Sequence, residues 1–353
     1  MAEKHQMRYP CKMPRRSLLA LAVLLAACGD STSATSANVR PQATGTGTRP
    51  FTALPLSLDA VRIVALGAMN GSQHTLPTDH IYFYGAIDTP QGLGSIGDRP
   101  VYAIADGLVQ QVNVSTPPGD VKIWIGVTST FRYYYGHLFL DAGIAEGTKV
   151  LAGQRIGHTG TSGALDLGVV NDQHDVGYLA PDRYGETGHT QSPISFYTEP
   201  LRSQLYALVK REGSEKDGHI NYDVAGTLSG NWFRDNLPLD SRSFGPDGWG
   251  HQASFAFDVY SPGVAKISIG GELAVEGQFD IPVPEVAWTS VTPATGMVVY
   301  RLTTIDPSYP ERGLNDRGWL IVQMLSGSRV RMEAYVPGAK PSAFTASARE
   351  YIR

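Results

Sequence analysis

Cysteine is almost missing from this chain, with Cys11 and Cys28 the two present in 353 residues. A disulfide-rich scaffold is therefore excluded, and the fold must rest on packing. Charge is sparse as well. Charged residues make up 18% of the chain and leave a net charge of -4, with no basic stretch able to neutralise several phosphates, so composition gives no case for nucleic acid. The apolar run Leu18 to Ala27 is too short to span a bilayer as a helix. No nucleotide-binding glycine loop, serine-nucleophile elbow, His-Glu-x-x-His motif or internal repeat is present. What remains is a globular composition, 42% hydrophobic, in a chain long enough for two domains.

The N-terminus reads as a targeting segment. Lys12, Arg15 and Arg16 precede the apolar run, which suits the hydrophobic region of a signal peptide. The run closes in Leu25-Ala26-Ala27-Cys28-Gly29, which resembles the lipobox of bacterial lipoproteins. That resemblance implies a signal peptide over residues 1–27, lipidation of Cys28, loss of Cys11, and a membrane contact through the lipid anchor. Residues 28–50, rich in Ser, Thr, Ala and Gly, are expected to be a flexible tether. Asp30 does not follow the cysteine directly, so the retention signal of enterobacterial inner-membrane lipoproteins is absent. The expected location is the cell envelope, facing the periplasm and anchored in the outer membrane.

A first domain is expected over residues 51–215. Leu54 to Met69 predicts two short strands. In the segment beginning at His80, His80, Tyr82 and Tyr84 share one face of a strand and Ile81 and Phe83 the other. A half-buried strand with a hydrogen-bonded imidazole would show the same pattern. Val101 to Val109 predicts two strands joined at Asp106-Gly107, and the next strands alternate so that Tyr133, Tyr135, His137 and Phe139 fall on one face. The last strand, ALDLGVV, is apolar except for Asp166. An ionised carboxylate in such a strand must find a partner, and His80 and His137 are the candidates. His174 and His189 lie in a long polar loop, and Glu199 to Arg211 predicts one amphipathic connecting helix capped by Thr198.

In order, the segments VYAIADGLV, YYYGHL and GTKVLAGQRIGHTGTSG resemble the central hairpin, the Tyr-x-His-Leu strand and the Val-x-x-Gly-Gln-x-Ile-Gly hairpin of the lysostaphin or LytM-type zinc metallopeptidases, which cut peptide crosslinks in bacterial walls. The resemblance covers residues 80–170. It implies zinc as the cofactor, a role for His137 on the water or the transition state, and metal ligands among His80, Asp88 and Asp166. The chain departs from the family's motifs. Ala164 and Asp166 stand where that family has its His-x-His pair, and upstream either His80 precedes Tyr84 in place of the aspartate, or Asp88 follows Tyr84 in place of the histidine. Zinc accepts imidazole nitrogen and carboxylate oxygen, so a site remains chemically feasible. Three readings follow: a variant zinc endopeptidase acting on peptidoglycan peptides, a non-catalytic relative that binds the wall or an envelope protein, and a structural envelope lipoprotein with neither metal nor wall ligand.

Residues 216–353 predict a second, C-terminal β domain, a sandwich or barrel of short strands between turns. Trp232, Trp249, Trp288 and Trp319 all lie there. They are expected to plug the core or the barrel ends, although exposed tryptophans would stack on sugar rings. The expected fold class is mainly β, a LytM-like antiparallel domain followed by a second β domain, with one connecting helix.

Overall fold

A computed structural model describes residues 41–69, 74–86, 93–114, 120–160, 163–237, 246–282, 284–305 and 314–353. The protein is mainly β, a large antiparallel sheet followed by a closed eight-stranded barrel. The sheet is built from β1 (Val61–Val64), β2 (His80–Ala86), β3 (Leu93–Gly94), β4 (Pro100–Tyr102), β5 (Gly107–Val114), β6 (Val121–Gly126), β7 (Phe131–Leu140), β8 (Lys149–Val150), β9 (Arg155–His158), β10 (Ala164–Asn171) and β11 (Thr190–Gln191). Its main path runs β1-β2-β10-β7-β6-β5-β8, so the strand carrying Asp166 lies between the two that carry the candidate histidines. All eight residues of β10 are buried, as expected for a strand covered on both faces. Ile81, Phe83, Tyr133, Tyr135, Leu165 and Leu167 fill the core beneath it.

Three local expectations are corrected. Leu54 to Met69 forms one named strand, β1, not two; Pro55 spends its carbonyl on the Tyr102 amide at 2.8 Å, which fixes this stretch as a loop over the core. The strands either side of Asp106-Gly107 do not pair with each other. Instead β4 pairs with β9, β5 pairs with β6 and β8, and Asp106 accepts the Ala152 amide at 2.8 Å. The connecting helix α1 spans only Leu201–Leu208. It stops there because the Lys210 amide turns to the Ile63 carbonyl of β1 at 2.9 Å. At its start the Glu199 carboxylate, rather than Thr198, accepts the Ser203 amide at 3.3 Å, while Thr198 Oγ1 donates to the Phe51 carbonyl at 3.4 Å.

The barrel comprises β12 (Gly230–Arg234), β13 (Gln252–Phe257), β14 (Ala265–Ile269), β15 (Gly277–Ile281), β16 (Met297–Ile305), β17 (Leu314–Ser326), β18 (Arg329–Tyr335) and β19 (Arg349–Ile352), with the short helix α2 (Pro246–Trp249) before β13. Closure comes from β19 returning to β12, with Phe233 opposite Ile352. Trp232 and Trp288 are buried in its core. Inward residues alternate along each strand, as with Phe255 on β13 and Ile267 and Ile269 on β14. The outer wall is not all solvent-facing: Phe233 and Val259 pack into the core of the first sheet, and Asn231 Nδ2 donates to the Tyr184 hydroxyl at 3.1 Å. The barrel and the sheet are thereby held against each other, which brings Trp249 over the sheet.

Candidate functional site

The upper face of the sheet is organised by pairing register. Asp166 on β10 stands opposite Tyr82 on β2 and Gly136 on β7, and in the next row Gly168 stands opposite His80 and Tyr134. Two glycines open the space for these larger groups. A Cβ at Gly136 would lie 2.9 Å from Asp166 Oδ2, and one at Gly168 would lie 2.2 Å from Tyr134 ring carbons. His137 breaks the alternation: its φ of 60° turns it out of the row of Tyr133 and Tyr135, at an irregularity in the pairing of β6 with β7. Strict period two places His137 beside the core tyrosines, so the positive φ, uncommon for a residue with a Cβ, is what brings it to Asp166.

A chain of carboxylates and imidazoles results. His80 Nδ1 lies 2.8 Å from Asp79 Oδ1, and His80 Nε2 lies 3.5 Å from Asp166 Oδ2. The same Asp166 oxygen lies 3.5 Å from His137 Nε2, and His137 Nδ1 lies 2.9 Å from Asp120 Oδ2. Asp79 is further held by the Tyr134 hydroxyl and Thr187 Oγ1, each donating at 2.9 Å. His80 and Asp166 are buried, at 6% and 8% exposure, and His80 Nε2 and Asp166 Oδ1 have no hydrogen-bond partner among the described residues. His74 and Trp249 roof the cluster. Their rings lie 4.6 Å apart, His74 lies 5.7 Å from the His80 ring, and Thr75 Oγ1 ties the roof by donating to the Trp249 carbonyl at 2.7 Å.

The electrostatics follow from burial and from this pairing. Burial disfavours the charged imidazole of His137, but Asp166 and Asp120 together outweigh it and hold its pKa above the ordinary value. His74 is pushed down to about 4, first by burial and then by His80 beside it. Burial would raise the Asp79 carboxyl, yet the hydrogen bond and charge of His80, with Lys122 and Tyr134, keep it well below the usual carboxylate range. Burial and the neighbouring Asp79 push the Tyr134 phenol far up, so it stays a donor.

Of the residues proposed from sequence, His80, His137 and Asp166 are brought together; Asp88 and Cys28 lie outside the described residues. His189 Nδ1 lies 2.6 Å from the His174 carbonyl within their own loop, and His251 pairs with Glu272 on the barrel. Sequence reasoning did not single out Asp79, Asp120, Tyr134, Thr187 or His74 as site residues. Asp79 was within reach, since it directly precedes a histidine already suspected; the others arrive through strand pairing and loop closure.

The donor set can be tested against a metal. Ligands at about 2.0–2.2 Å in a tetrahedral site stand about 3.3–3.6 Å apart, and both edges that share Asp166 have that length. Each imidazole is also anchored at Nδ1 by a carboxylate, the usual outer support of a metal-binding histidine. The two edges are nonetheless not closed into a cage: among the described residues no group of three or more His, Cys, Asp or Glu side chains has an arrangement that could hold an ion. As they stand, the residues fit proton and charge sharing better than ion coordination.

No protein-family model and no curated protein matches the chain. Solved structures of lysostaphin and LytM-type peptidases are similar to it in part, at low identity. Helicobacter pylori Csd3 is 22% identical over 35% of this chain and 31% of its own, with a TM-score of 0.25. A zinc-containing peptidase from Vibrio cholerae is 22% identical over 36% of this chain and 38% of its own, at 0.26. The catalytic domain of lysostaphin from Staphylococcus simulans is 19% identical over 42% of this chain and 89% of its own, at 0.24. The chain thus spans about a third of the length of the first two.

Proposed function

We propose that this chain is a cell-envelope protein, anchored by a lipid at Cys28, whose first sheet carries a metallopeptidase-type groove used to bind a wall peptide or an envelope partner without cutting it. The observation that carries this reading is the position of Asp166 between two imidazoles that are each committed to a second carboxylate. Such a set balances its own charge with protons. Hydrolysis needs a base on the water and a donor for the developing oxyanion, and Ala164 supplies neither where the resembled family has a histidine. Purified peptidoglycan in a sedimentation assay tests the reading: the chain should co-sediment, Asp166→Asn should weaken this, and no peptide fragments should be released. Wall fragments released by the wild type but not by His137→Ala would sink it.

The carboxylate-anchored imidazoles and the two edges of metal-like length favour a second reading, a variant zinc endopeptidase with His80, Asp166 and His137 as donors. Metal analysis after zinc loading separates the two. Stoichiometric zinc that disappears in Asp166→Asn supports the enzyme, and a zinc-free chain at pH 7 supports the binder.

A further inference from the structure

A ligand of the groove must touch Asp166, yet one end of the charged cluster is closed. The side chains of His80 and Asp166 are 8% and 11% exposed, against 46% for His137 at the other end. The closed end lies under the roof. The His74 ring is 5.7 Å from that of His80, and burial comes first among the causes that shift its pKa, followed by His80, Asp79, His137 and Lys122, so it stands over the whole cluster. Trp249 covers His74 in turn, ring to ring at 4.6 Å, and is itself only partly buried.

The two halves of the roof belong to different parts of the chain. His74 and Thr75 sit on a loop clamped to the sheet side, where the Gly67 amide donates to the Thr78 carbonyl and the Thr78 amide to the Ala68 carbonyl, each at 2.9 Å. Trp249 belongs to the barrel. Its loop is fixed there by the His251 amide on the Gly248 carbonyl at 2.9 Å and the Glu272 amide on the Gly250 carbonyl at 3.1 Å. Gly270 lets the loop lie close, since a Cβ there would stand 2.3 Å from the Trp249 carbonyl oxygen. The Thr75 hydroxyl joins the halves, donating to that same carbonyl at 2.7 Å. The barrel core does not use the Trp249 ring, whereas Trp232 and Trp288 fill it. The barrel thus presents a large aromatic ring to a cluster that belongs to the sheet.

We propose that Trp249 is an autoinhibitory lid: the barrel holds its indole over His74 and the buried end of the groove, and a wall peptide reaches Asp166 and His80 only after the ring has swung away. This rests on the groove reading above. A ligand that binds only the open form is weakened by the ratio of closed to open chains, and one hydrogen bond with one ring contact sets that ratio at about tenfold or more. Two measurements on the full chain test the lid. The first needs no ligand: the rate at which diethylpyrocarbonate modifies His80, read by mass spectrometry against the exposed His219 on the same chain. Trp249→Ala should raise that rate by about tenfold, and Thr75→Val, which unties the roof but keeps the ring, by a smaller factor. The second is co-sedimentation with purified peptidoglycan. Trp249→Ala should bind about tenfold more tightly than wild type, and adding Asp166→Asn should remove the gain. Faster His80 modification with no wall binding by any of these chains upholds the lid and fails the groove reading. An unchanged His80 rate in both Trp249→Ala and Thr75→Val overturns the proposal. So does weaker wall binding by Trp249→Ala, because Trp249 would then be a contact for the ligand.

Discussion

Gly168→Ala is the sharpest test of how the site is packed. The added methyl would sit 2.2 Å from Cε1 and Cζ of Tyr134 and 2.5 Å from its hydroxyl. Tyr134 has nowhere to go: it is 1% exposed, its ring lies 4.4 Å from Trp124, and its hydroxyl is committed to Asp79. Overpacking of this kind costs about 1–3 kcal/mol, and breaking the hydrogen bond to an ionised Asp79 adds about 1.5–3 kcal/mol. Together the expected loss is about 3–5 kcal/mol. Urea unfolding of Gly168→Ala, Tyr134→Ala and the double variant closes a cycle that isolates the clash. With the ring gone, the extra methyl should cost under about 1 kcal/mol, because Gly168 has an ordinary strand conformation, giving a coupling of at least about 2 kcal/mol. Additivity of the two changes within about 0.5 kcal/mol would refute the packing.

Further outcomes follow from the charges. In an NMR titration His137 should have its midpoint above 6.5, and Asp166→Asn should lower it; because the folded value is the raised one, its stabilising contribution is present below 6.5 and lost as pH rises through the folded midpoint. His74 should titrate near pH 4. There the folded value is depressed, so an unfolded chain takes up the proton first, and stability is lost as pH falls from 6.5 towards 4, by up to about 3 kcal/mol; a His74→Gln variant should lose this slope in denaturant unfolding between those pH values. Lys266, partly buried in the barrel wall between Asp258 at 3.1 Å and Asp280, should not tolerate replacement. Lys266→Met removes the cation that bridges the two carboxylates and should cost about 2–4 kcal/mol in urea unfolding, whereas a cost below about 1 kcal/mol would show that the wall is open to water.

Period-two alternation was enough to find the strand at His80 and to put Ile81 and Phe83 on one face with Tyr82 and Tyr84 on the other, because that pattern is local. It was also enough to suspect His80, His137 and Asp166 of meeting, since a carboxylate in an apolar strand demands a partner. It misplaced the reason. Alternation alone puts His137 with Tyr133 and Tyr135, and only a left-handed backbone at that residue, which no propensity announces, turns it towards Asp166. The partner choices of β4 and β5 were equally hidden, since Asp106-Gly107 looks like a hairpin turn and which strands pair across long separations is not written in the turn. Trp249 illustrates the same limit from further away: it joins the roof because an outer barrel wall carrying Phe233 is buried against the first sheet, a contact between residues far apart in sequence.

The substitution at Asp166 also changes what a metal would have to do. An imidazole must give up its proton before it can coordinate an ion. Here Asp166 and Asp120 hold the His137 proton more tightly than an ordinary histidine would hold it. Zinc and protons would therefore compete for the same cluster, and any zinc affinity should rise with pH until His137 has lost its proton. Removing Asp120 weakens that hold from the outside without touching a donor atom, so Asp120→Asn distinguishes the two readings by whether there is a zinc affinity for it to change. In an enzyme it removes the support that orients His137 and should lower zinc affinity. In a proton-balanced binder it should shift the His137 midpoint down and leave a zinc-free chain zinc-free. Competition titrations with a zinc chelator at pH 6 and pH 8 measure the first, and the imidazole proton resonances measure the second.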